Sequence, residues 1–190
     1  MKQQSTVDYD YLYALTATVT PLDYDCGVLC GSACCRPNRK NSLGVYLFPG
    51  EESRFGEARD WFAREYHNPA EYDFPENWED PVHFLKCSGA CPRDRRPLAC
   101  RFFPLAPHLL TDGTLLLTHE TARLPYKCPL ICKNITLRGD FTDTVALSWM
   151  ELLKDPRVRR LVEEDSRERE NKLGEIPPVF WTSPSPIPNR

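Results

Sequence analysis

The pattern of apolar and polar positions predicts several short elements rather than one long regular repeat. Leu43–Phe48 and Pro81–Lys86 are rich in β-forming residues, so each is expected to form a strand. Leu105–Glu120 contains two apolar runs separated by Asp112 and Gly113. Asp-Gly between apolar runs is typical of a tight hairpin turn, so this segment is expected to form a β-hairpin.

Two helices are predicted in the N-terminal half. Val7–Thr18 is expected to form a short helix that ends before the next proline. Glu51–Tyr66 carries Phe55, Ala58, Trp61 and Phe62 at spacings of three, four and seven residues. Since side chains at these spacings share one face of a helix, the pattern predicts an amphipathic helix over Glu51–Tyr66.

Two further helices are predicted near the C-terminus. The first is expected to be capped by Asp140 or Thr142 and to run through Leu153. The second is expected over Asp155–Leu173, because Asp followed by Pro is a favourable helix start. Only Val158, Leu161 and Val162 are apolar in its first half, so the distal half is expected to be a solvated face.

Composition and charge narrow the class of protein. The chain has 190 residues, 41% hydrophobic and 27% charged, as is usual for a soluble globular protein. A net charge of −3 gives no reason to expect nucleic acid or an anionic membrane as a partner. The first residues lack the apolar segment of a signal peptide, and no apolar run is long enough to span a membrane. We therefore expect a cytoplasmic protein with reduced thiols.

Cysteine is the unusual feature of the composition. The chain has nine cysteines, and six of them form three C-x3-C pairs. The pairs are Cys26 and Cys30, Cys87 and Cys91, and Cys128 and Cys132, and the others are Cys34, Cys35 and Cys100. In a reducing compartment such clustering indicates a metal site more often than disulfides or packed thiols, although both alternatives remain. Thiolates suit both zinc and iron, so the spacing leaves the metal open.

The first cysteine segment has a helical spacing. Cys26, Cys30 and Cys34 follow an i, i+4, i+8 series, so in a helix their thiols would lie in one row. The adjacent Cys34 and Cys35 are not expected to point the same way. Either one of them ligates a metal while the other packs, or the two serve different centres.

The order of the cysteine blocks resembles a known family. Its blocks here are Cys26-x3-Cys30-x3-Cys34-Cys35-Arg36, Phe84–Cys87, Cys91-Pro92, Arg96–Leu105 (RPLACRFFPL) and Cys128-Pro129. This order is similar to that of the YkgJ-like cysteine-cluster family, a zinc- or iron-chelating domain, and it covers about residues 26–132. The resemblance implies metal ligation by Cys26, Cys30, Cys34 or Cys35, Cys87, Cys91, Cys100 and Cys128. Cys132 lies outside the family core, and the spacing after Cys30 is one residue wider than usual.

Charged residues and histidines near the cysteines have alternative interpretations. Arg96 and Arg101 flank Cys100 and are expected either to offset thiolate charge or to form surface ion pairs, for example with Asp94. Pro97 is expected to start one helical turn that holds Cys100. His83 and His108 are candidate fourth ligands of a Cys3His site. His83 lies on a predicted strand, so it could share a metal with Cys87 only if the chain bends.

These observations predict a small α+β fold: an irregular, metal-stapled domain with a β-hairpin and flanking helices. The domain is expected to cover residues 1–173, with its motif core at 26–132, followed by a proline-rich tail at 174–190 that is extended or draped over the surface. The expected function is to bind iron, as an iron–sulfur cluster such as a 4Fe–4S cluster, or zinc. One alternative is a metal-dependent transferase, since the family includes a flagellin lysine N-methylase. Another is a structural, zinc-stapled interaction module.

Overall fold

The computed structural model describes residues 5–37, 43–89 and 91–188. The ends of the expected domain and tail, at 1–4 and 189–190, therefore lie outside the described residues. The α-helices are α1 (Tyr9–Leu15), α2 (Leu98–Phe102), α3 (Pro129–Cys132), α4 (Gly139–Leu152) and α5 (Pro156–Leu173). The strands are β1 (Gly44–Tyr46), β2 (Ala58–Arg59), β3 (Phe62–His67), β4 (Val82–Cys87), β5 (Leu105–Leu109), β6 (Leu115–His119) and β7 (Val179–Thr182).

The strands form two antiparallel sheets. One has the order β1-β4-β3-β2 and the other the order β5-β6-β7. Helices and antiparallel sheets together confirm the α+β class. The two strands predicted at Leu43–Phe48 and Pro81–Lys86 are confirmed as β1 and β4, which pair with each other. The predicted hairpin is β5 and β6, with Gly113 at a φ of 88° in its turn.

Local sequence signals account for most of the helices. The Asp8 side chain accepts a hydrogen bond from the Tyr11 N–H at the start of α1, and Asp155 does the same for Arg157 in α5. The helix predicted through Leu153 is α4, but the expected caps are wrong. Arg138 occupies the cap position, and its backbone carbonyl accepts from the Thr142 N–H and hydroxyl.

The distal half of α5 is mostly solvated, as expected, but one polar side of it is buried. Ser166 and Arg169 in this half are both buried against β5. The Ser166 hydroxyl accepts from the Leu109 N–H at 2.9 Å, and the Arg169 guanidinium donates to the Pro107 carbonyl at 3.1 Å. A polar helix face is buried here because each polar group finds a backbone partner on the strand.

The helix predicted over Glu51–Tyr66 is wrong. This segment forms a single 3-10 turn, Glu51–Arg54, followed by β2 and β3. The apolar spacing also suits a hairpin, since Phe55 and Phe62 are both buried and their ring centroids are 5.9 Å apart. A local helical preference has only a weak effect on the fold. The pairing of β3 with the whole length of β4 therefore overrides it.

The proline-rich tail contributes a strand to the second sheet. Trp181 of β7 is paired with Leu117 of β6, and Leu116 with Thr182. Trp181 is partly buried and packs against the main core. The tail composition did not predict this strand, because only five residues lie between Pro178 and Pro184 and prolines are rare in regular β-structure.

Two apolar clusters hold the chain together. The larger one joins α1, α2, α4, α5 and both sheets, and it includes Phe102, Phe141, Trp149 and Leu117. Trp78, Trp149 and Phe62 are buried, and Trp61 packs partly against the core. The smaller cluster is formed by Leu22, Cys128 and Leu130. No cysteine belongs to the larger cluster among the described residues.

Candidate metal centre

The nine cysteines lie on short elements that meet at one side of the main core. Two 3-10 turns, Cys26–Leu29 and Ala33–Cys35, present the first four. Cys87 ends β4, Cys91 follows it, and Cys100 lies in α2, as the single helical turn after Pro97 was predicted to hold it. Cys128 and Cys132 flank and end the short helix α3. All nine thiols are free.

The first cysteine segment is not one continuous helix, so the expected single row of thiols is wrong. Gly31 and Ser32 adopt left-handed backbone conformations, with φ of 63° and 59°. Such residues end a right-handed helix, because the chain turns away from the helix axis. The break separates Cys26 and Cys30 from Cys34 and Cys35, so the two pairs can serve different sulfur groups.

Five thiols form what we call the central group: Cys34, Cys35, Cys87, Cys91 and Cys100. Cys34 Sγ and Cys35 Sγ are 3.7 Å apart, so the adjacent thiols do point the same way, contrary to expectation. Two thiolates on a tetrahedral metal with bonds of about 2.3 Å would be separated by about 3.8 Å. The observed spacing therefore matches two ligands of one metal.

Hydrogen bonds among these sulfurs favour a thiolate at Cys35. The hydrogen bond from the Cys34 thiol lowers the pKa of Cys35 to about 3, and the hydrogen bond from the Cys91 thiol and the charge of Arg96 add to this effect. The pKa values of Cys34 and Cys91 are correspondingly raised, first of all by the hydrogen bonds that they donate to Cys35. These hydrogen bonds favour a negative charge at Cys35 over one at Cys34 or Cys91.

Cys87 and Cys100 complete the central group. Burial raises the pKa of Cys87 to about 11, and the nearby charge of Cys35 adds to the increase. Burial also raises the pKa of Cys100, with further contributions from the charges of Cys35 and Cys87. Several thiolates crowded together repel one another, and a bound cation would remove that repulsion.

The remaining four thiols form what we call the outer group: Cys26, Cys30, Cys128 and Cys132. Cys26 packs against the small cluster that contains Cys128. Burial raises the pKa of Cys26 to about 11, and the charges of Asp25, Cys128 and Cys30 contribute to the increase. Burial also raises the pKa of Cys128, and the charges of Cys30 and Cys132 add to the increase. The outer group therefore combines two of the C-x3-C pairs, including Cys132, which the family resemblance left out.

Arg96 is a cation that lies beside the sulfurs of the central group. Its Nη2 atom is 3.2 Å from Asp25 Oδ2, and Asp25 also accepts from the Gly27 N–H at 2.8 Å. Burial acts to lower the pKa of Arg96, but the negative charges of Asp25, Cys35 and Cys91 outweigh it, so the pKa is raised. Of the two roles expected for Arg96, this arrangement supports the offsetting of thiolate charge.

Arg101 has a different role from Arg96. It is buried and donates to the backbone carbonyls of Arg96, Tyr13 and Asp94 at 2.8, 3.2 and 2.7 Å. Its guanidinium also lies 4.4 Å from the centre of the Tyr13 ring. Neither expected role applies to Arg101, because it joins α1 to the cysteine loop through carbonyls and an aromatic face rather than through surface ion pairs.

The two histidines lie away from the thiols. His108 is fully buried, and its ring nitrogens are 3.1 Å from Arg169 Nη1 and 3.0 Å from Glu170 Oε1. His83 lies in β4, which pairs with β3 without a break as far as Cys87. Four strand residues span roughly 13 Å, so the bend that His83 would need to share a metal with Cys87 is not present.

Glu51 is a buried residue that the sequence analysis did not single out. It is fully inaccessible and accepts hydrogen bonds from the Tyr13 hydroxyl, the Phe48 N–H and the Leu98 N–H. Burial raises the pKa of Glu51 despite these donors. The available signal was its position directly after Pro49-Gly50, where a turn brings it towards the core.

The donor chemistry fits a thiophilic metal, but the side chains are not arranged as a finished site. Within residues 5–37, 43–89 and 91–188, no three His, Cys, Asp or Glu side chains converge closely enough to hold a metal ion as they stand. The fit rests on the sulfur spacing at Cys34 and Cys35 and on the cationic Arg96.

In the same described ranges, no helix combines the length and the apolar character needed to cross a membrane. Comparison of the chain with protein-family models, with curated proteins and with solved structures found no match.

Proposed function

We propose that the protein binds iron, as an iron–sulfur cluster, or zinc, through its clustered cysteines. The observation that carries this proposal is the gathering of Cys34, Cys35, Cys87, Cys91 and Cys100 around one stabilised thiolate. These residues come from three separate segments, which the fold brings near Cys35. Free thiols throughout the chain are consistent with a reducing compartment such as the cytosol.

The two sulfur groups favour different metals. The outer group offers four thiols, the number that a closed structural zinc site uses. The central group offers five thiols, and Arg96 beside them supplies a hydrogen-bond donor of the kind that tunes cluster sulfurs. We therefore propose the central group as the iron–sulfur site and the outer group as a zinc site in the second candidate function, a structural staple.

The resemblance to the YkgJ-like cysteine-cluster family supports metal binding and adds a transferase alternative. A transferase needs a substrate cavity that is open to the metal. A surface pocket of about 310 Å³ lies beside the cysteine segments, but no cysteine lines it. This geometry supports metal binding without chemistry at the metal more directly than it supports group transfer.

Anaerobic purification followed by metal analysis and a visible absorption spectrum tests the proposal. We expect bound iron with inorganic sulfide and a broad charge-transfer band, which would assign the cluster. A colourless protein with stoichiometric zinc would support the structural staple instead. Protein that is folded by circular dichroism but carries neither metal would contradict both candidate functions.

Serine substitutions separate the two groups. Cys35→Ser should remove the metal of the central group and its spectrum, because Cys35 is the thiolate on which the other sulfurs converge. Cys132→Ser is the matched variant, since this thiol is exposed and belongs to the outer group. We expect Cys132→Ser to keep the spectrum of the central group. Equal loss in both variants would contradict the division into two groups.

A further inference from the structure

A second candidate site lies beside the thiols but does not contain them. It is a surface pocket of about 310 Å³, at the small end of the range of about 300–1,000 Å³ for ligand pockets. The lining residues are Tyr13, Arg54, Phe55, Gly56, Arg59, Trp61, Phe62, Asp94 and Arg95. The segment from Arg54 to Phe62 supplies six of them, and the 3-10 turn Arg93–Arg95 supplies two.

The charge of the pocket is positive. Arg54, Arg59 and Arg95 line it, against a single lining acid, Asp94. This excess contrasts with the net charge of −3 of the whole chain. Arg54 is paired with the exposed Asp10, and Arg95 is 3.9 Å from Asp94, a long contact for an ion pair. Among the described residues no ion pair engages Arg59, so its guanidinium is available to an anion.

The wall of the pocket is aromatic. Tyr13, Phe55 and Phe62 are buried, and Trp61 is partly exposed. The Trp61 and Phe62 rings lie 4.5 Å apart, and the Arg54 guanidinium lies 4.2 Å from the centre of the Tyr13 ring. Aromatic faces and guanidinium planes both stack on planar rings.

We propose that this pocket binds a small anion that carries a planar ring, with a phosphate or a carboxylate as its charged group. Arginine forks match both of these groups by paired hydrogen bonds, and the aromatic wall accepts the ring. The pocket is supported independently of the metal, because none of its lining residues is a cysteine. Its site is nevertheless adjacent to the thiols, since Phe62 is the cross-strand partner of Cys87.

Calorimetric titration of the full chain with defined probes tests this proposal. The probes are adenosine 5′-monophosphate and phenyl phosphate as ring phosphates, benzoate as a ring carboxylate, and adenosine and inorganic phosphate as the separate halves. We expect saturable binding of one ring anion per chain, weakened by added salt. Each separate half should bind at least about tenfold more weakly, because it lacks one set of contacts. Preference between phenyl phosphate and benzoate identifies the charged group.

Variants of the lining residues give opposite expected signs. Arg59→Ala should weaken binding about tenfold by removing a charge-assisted contact. Asp94→Asn should strengthen it, because Asp94 is the only acid in the lining. Gly56→Leu should block the pocket without disturbing the fold, since a Cβ at Gly56 meets no atom within 4 Å. Arg167→Ala, on an exposed part of α5, is the matched control and should leave binding unchanged.

Three outcomes would overturn the proposal. The first is the absence of saturable binding for every ring anion. The second is equal affinity for inorganic phosphate and for the ring phosphates, which would leave the aromatic wall without a role. The third is equal weakening by Arg59→Ala and Arg167→Ala, which would show nonspecific attraction to positive charge. Each of these results can be obtained whether or not the thiols bind a metal.

Discussion

Glu51 joins three parts of the chain through one carboxylate. Its Oε1 atom accepts from Tyr13 in α1 and from the Leu98 N–H in α2, both at 2.8 Å. Its Oε2 atom accepts from the Phe48 N–H at 3.1 Å. Because the Leu98 N–H lies in the first turn of α2, this carboxylate fixes the start of the helix that carries Cys100. A single buried side chain therefore connects the main core to the candidate metal centre.

We expect Glu51→Gln to destabilise the protein by about 1–3 kcal/mol, because the amide can accept at only one atom and leaves a buried donor unpaired. Chemical denaturation monitored by circular dichroism measures this difference. Glu71→Gln is the matched control, since Glu71 is exposed, and it should change stability by less than about 0.5 kcal/mol. Equal stability of Glu51→Gln and the unmodified protein would show that this carboxylate is not a structural junction.

At the scale of elements, the strand β7 closes one edge of the hairpin sheet. Its backbone pairs with β6, and Ser183 continues the contact, with its N–H donating to the Leu115 carbonyl at 2.8 Å. Trp181 packs against the main core, whereas Val179 in the same strand is 46% exposed. Packing of Phe180 and Trp181 against the main core therefore holds the proline-rich segment in place.

Trp181→Ala should lower the free energy of unfolding by about 2 kcal/mol, because a partly buried aromatic side chain loses less than the about 3–5 kcal/mol of a fully buried one. Thermal unfolding monitored by circular dichroism is the measurement. Val179→Ala tests the same strand on its exposed face and should have little effect. A similar loss in both variants would mean that backbone pairing, and not the packing of Trp181, holds β7.

Elements marked by local chemistry could be predicted from the sequence. The pair Asp155-Pro156 starts α5 and Asp112-Gly113 turns the hairpin, as expected. The segment Glu51–Tyr66 carries no such signal, since Phe55 and Phe62 are compatible with either a helix or a hairpin. Only the pairing with β4 decides between them. The strand β7 has no such local signal, since its position depends on the free edge of β6.

The candidate site was predictable in its residue types but not in its grouping. Spacing identified the C-x3-C pairs, yet it could not show that Cys26 and Cys30 are separated from Cys34 and Cys35. That division depends on the left-handed conformation of Ser32, which no residue preference predicts. Cys132 lies outside the family pattern, so the resemblance gave it no role, whereas the fold places it with Cys128 in the outer group.

At the scale of the whole molecule, the main core and the thiols occupy separate regions. The larger apolar cluster unites helices and both sheets without a cysteine among the described residues. Cys26 and Cys128 instead pack in the small cluster around Leu22 and Leu130. A metal would therefore stabilise segments that have little apolar packing of their own.

Removal of the metal should consequently loosen one region rather than unfold the whole protein. We expect hydrogen exchange to accelerate in residues 25–35 and 128–133 after chelation, because these segments lack main-core contacts. The amides of α4 and α5 should keep their protection and serve as the internal control. Uniform loss of protection across both helices would contradict this division, as would unchanged exchange in the cysteine segments.

The position of β7 also has a consequence for biosynthesis. A protein emerges from the ribosome from its N-terminus, and its earlier segments begin to fold during synthesis. The hairpin of β5 and β6 is therefore complete before residues 179–182 are available to pair with it. During that interval one edge of β6 is unpaired. All five residues of β6 are buried in the folded protein, and an unpaired apolar strand edge of this kind promotes association between chains. Until β7 is synthesised, the nascent chain exposes a strand edge that the finished fold covers.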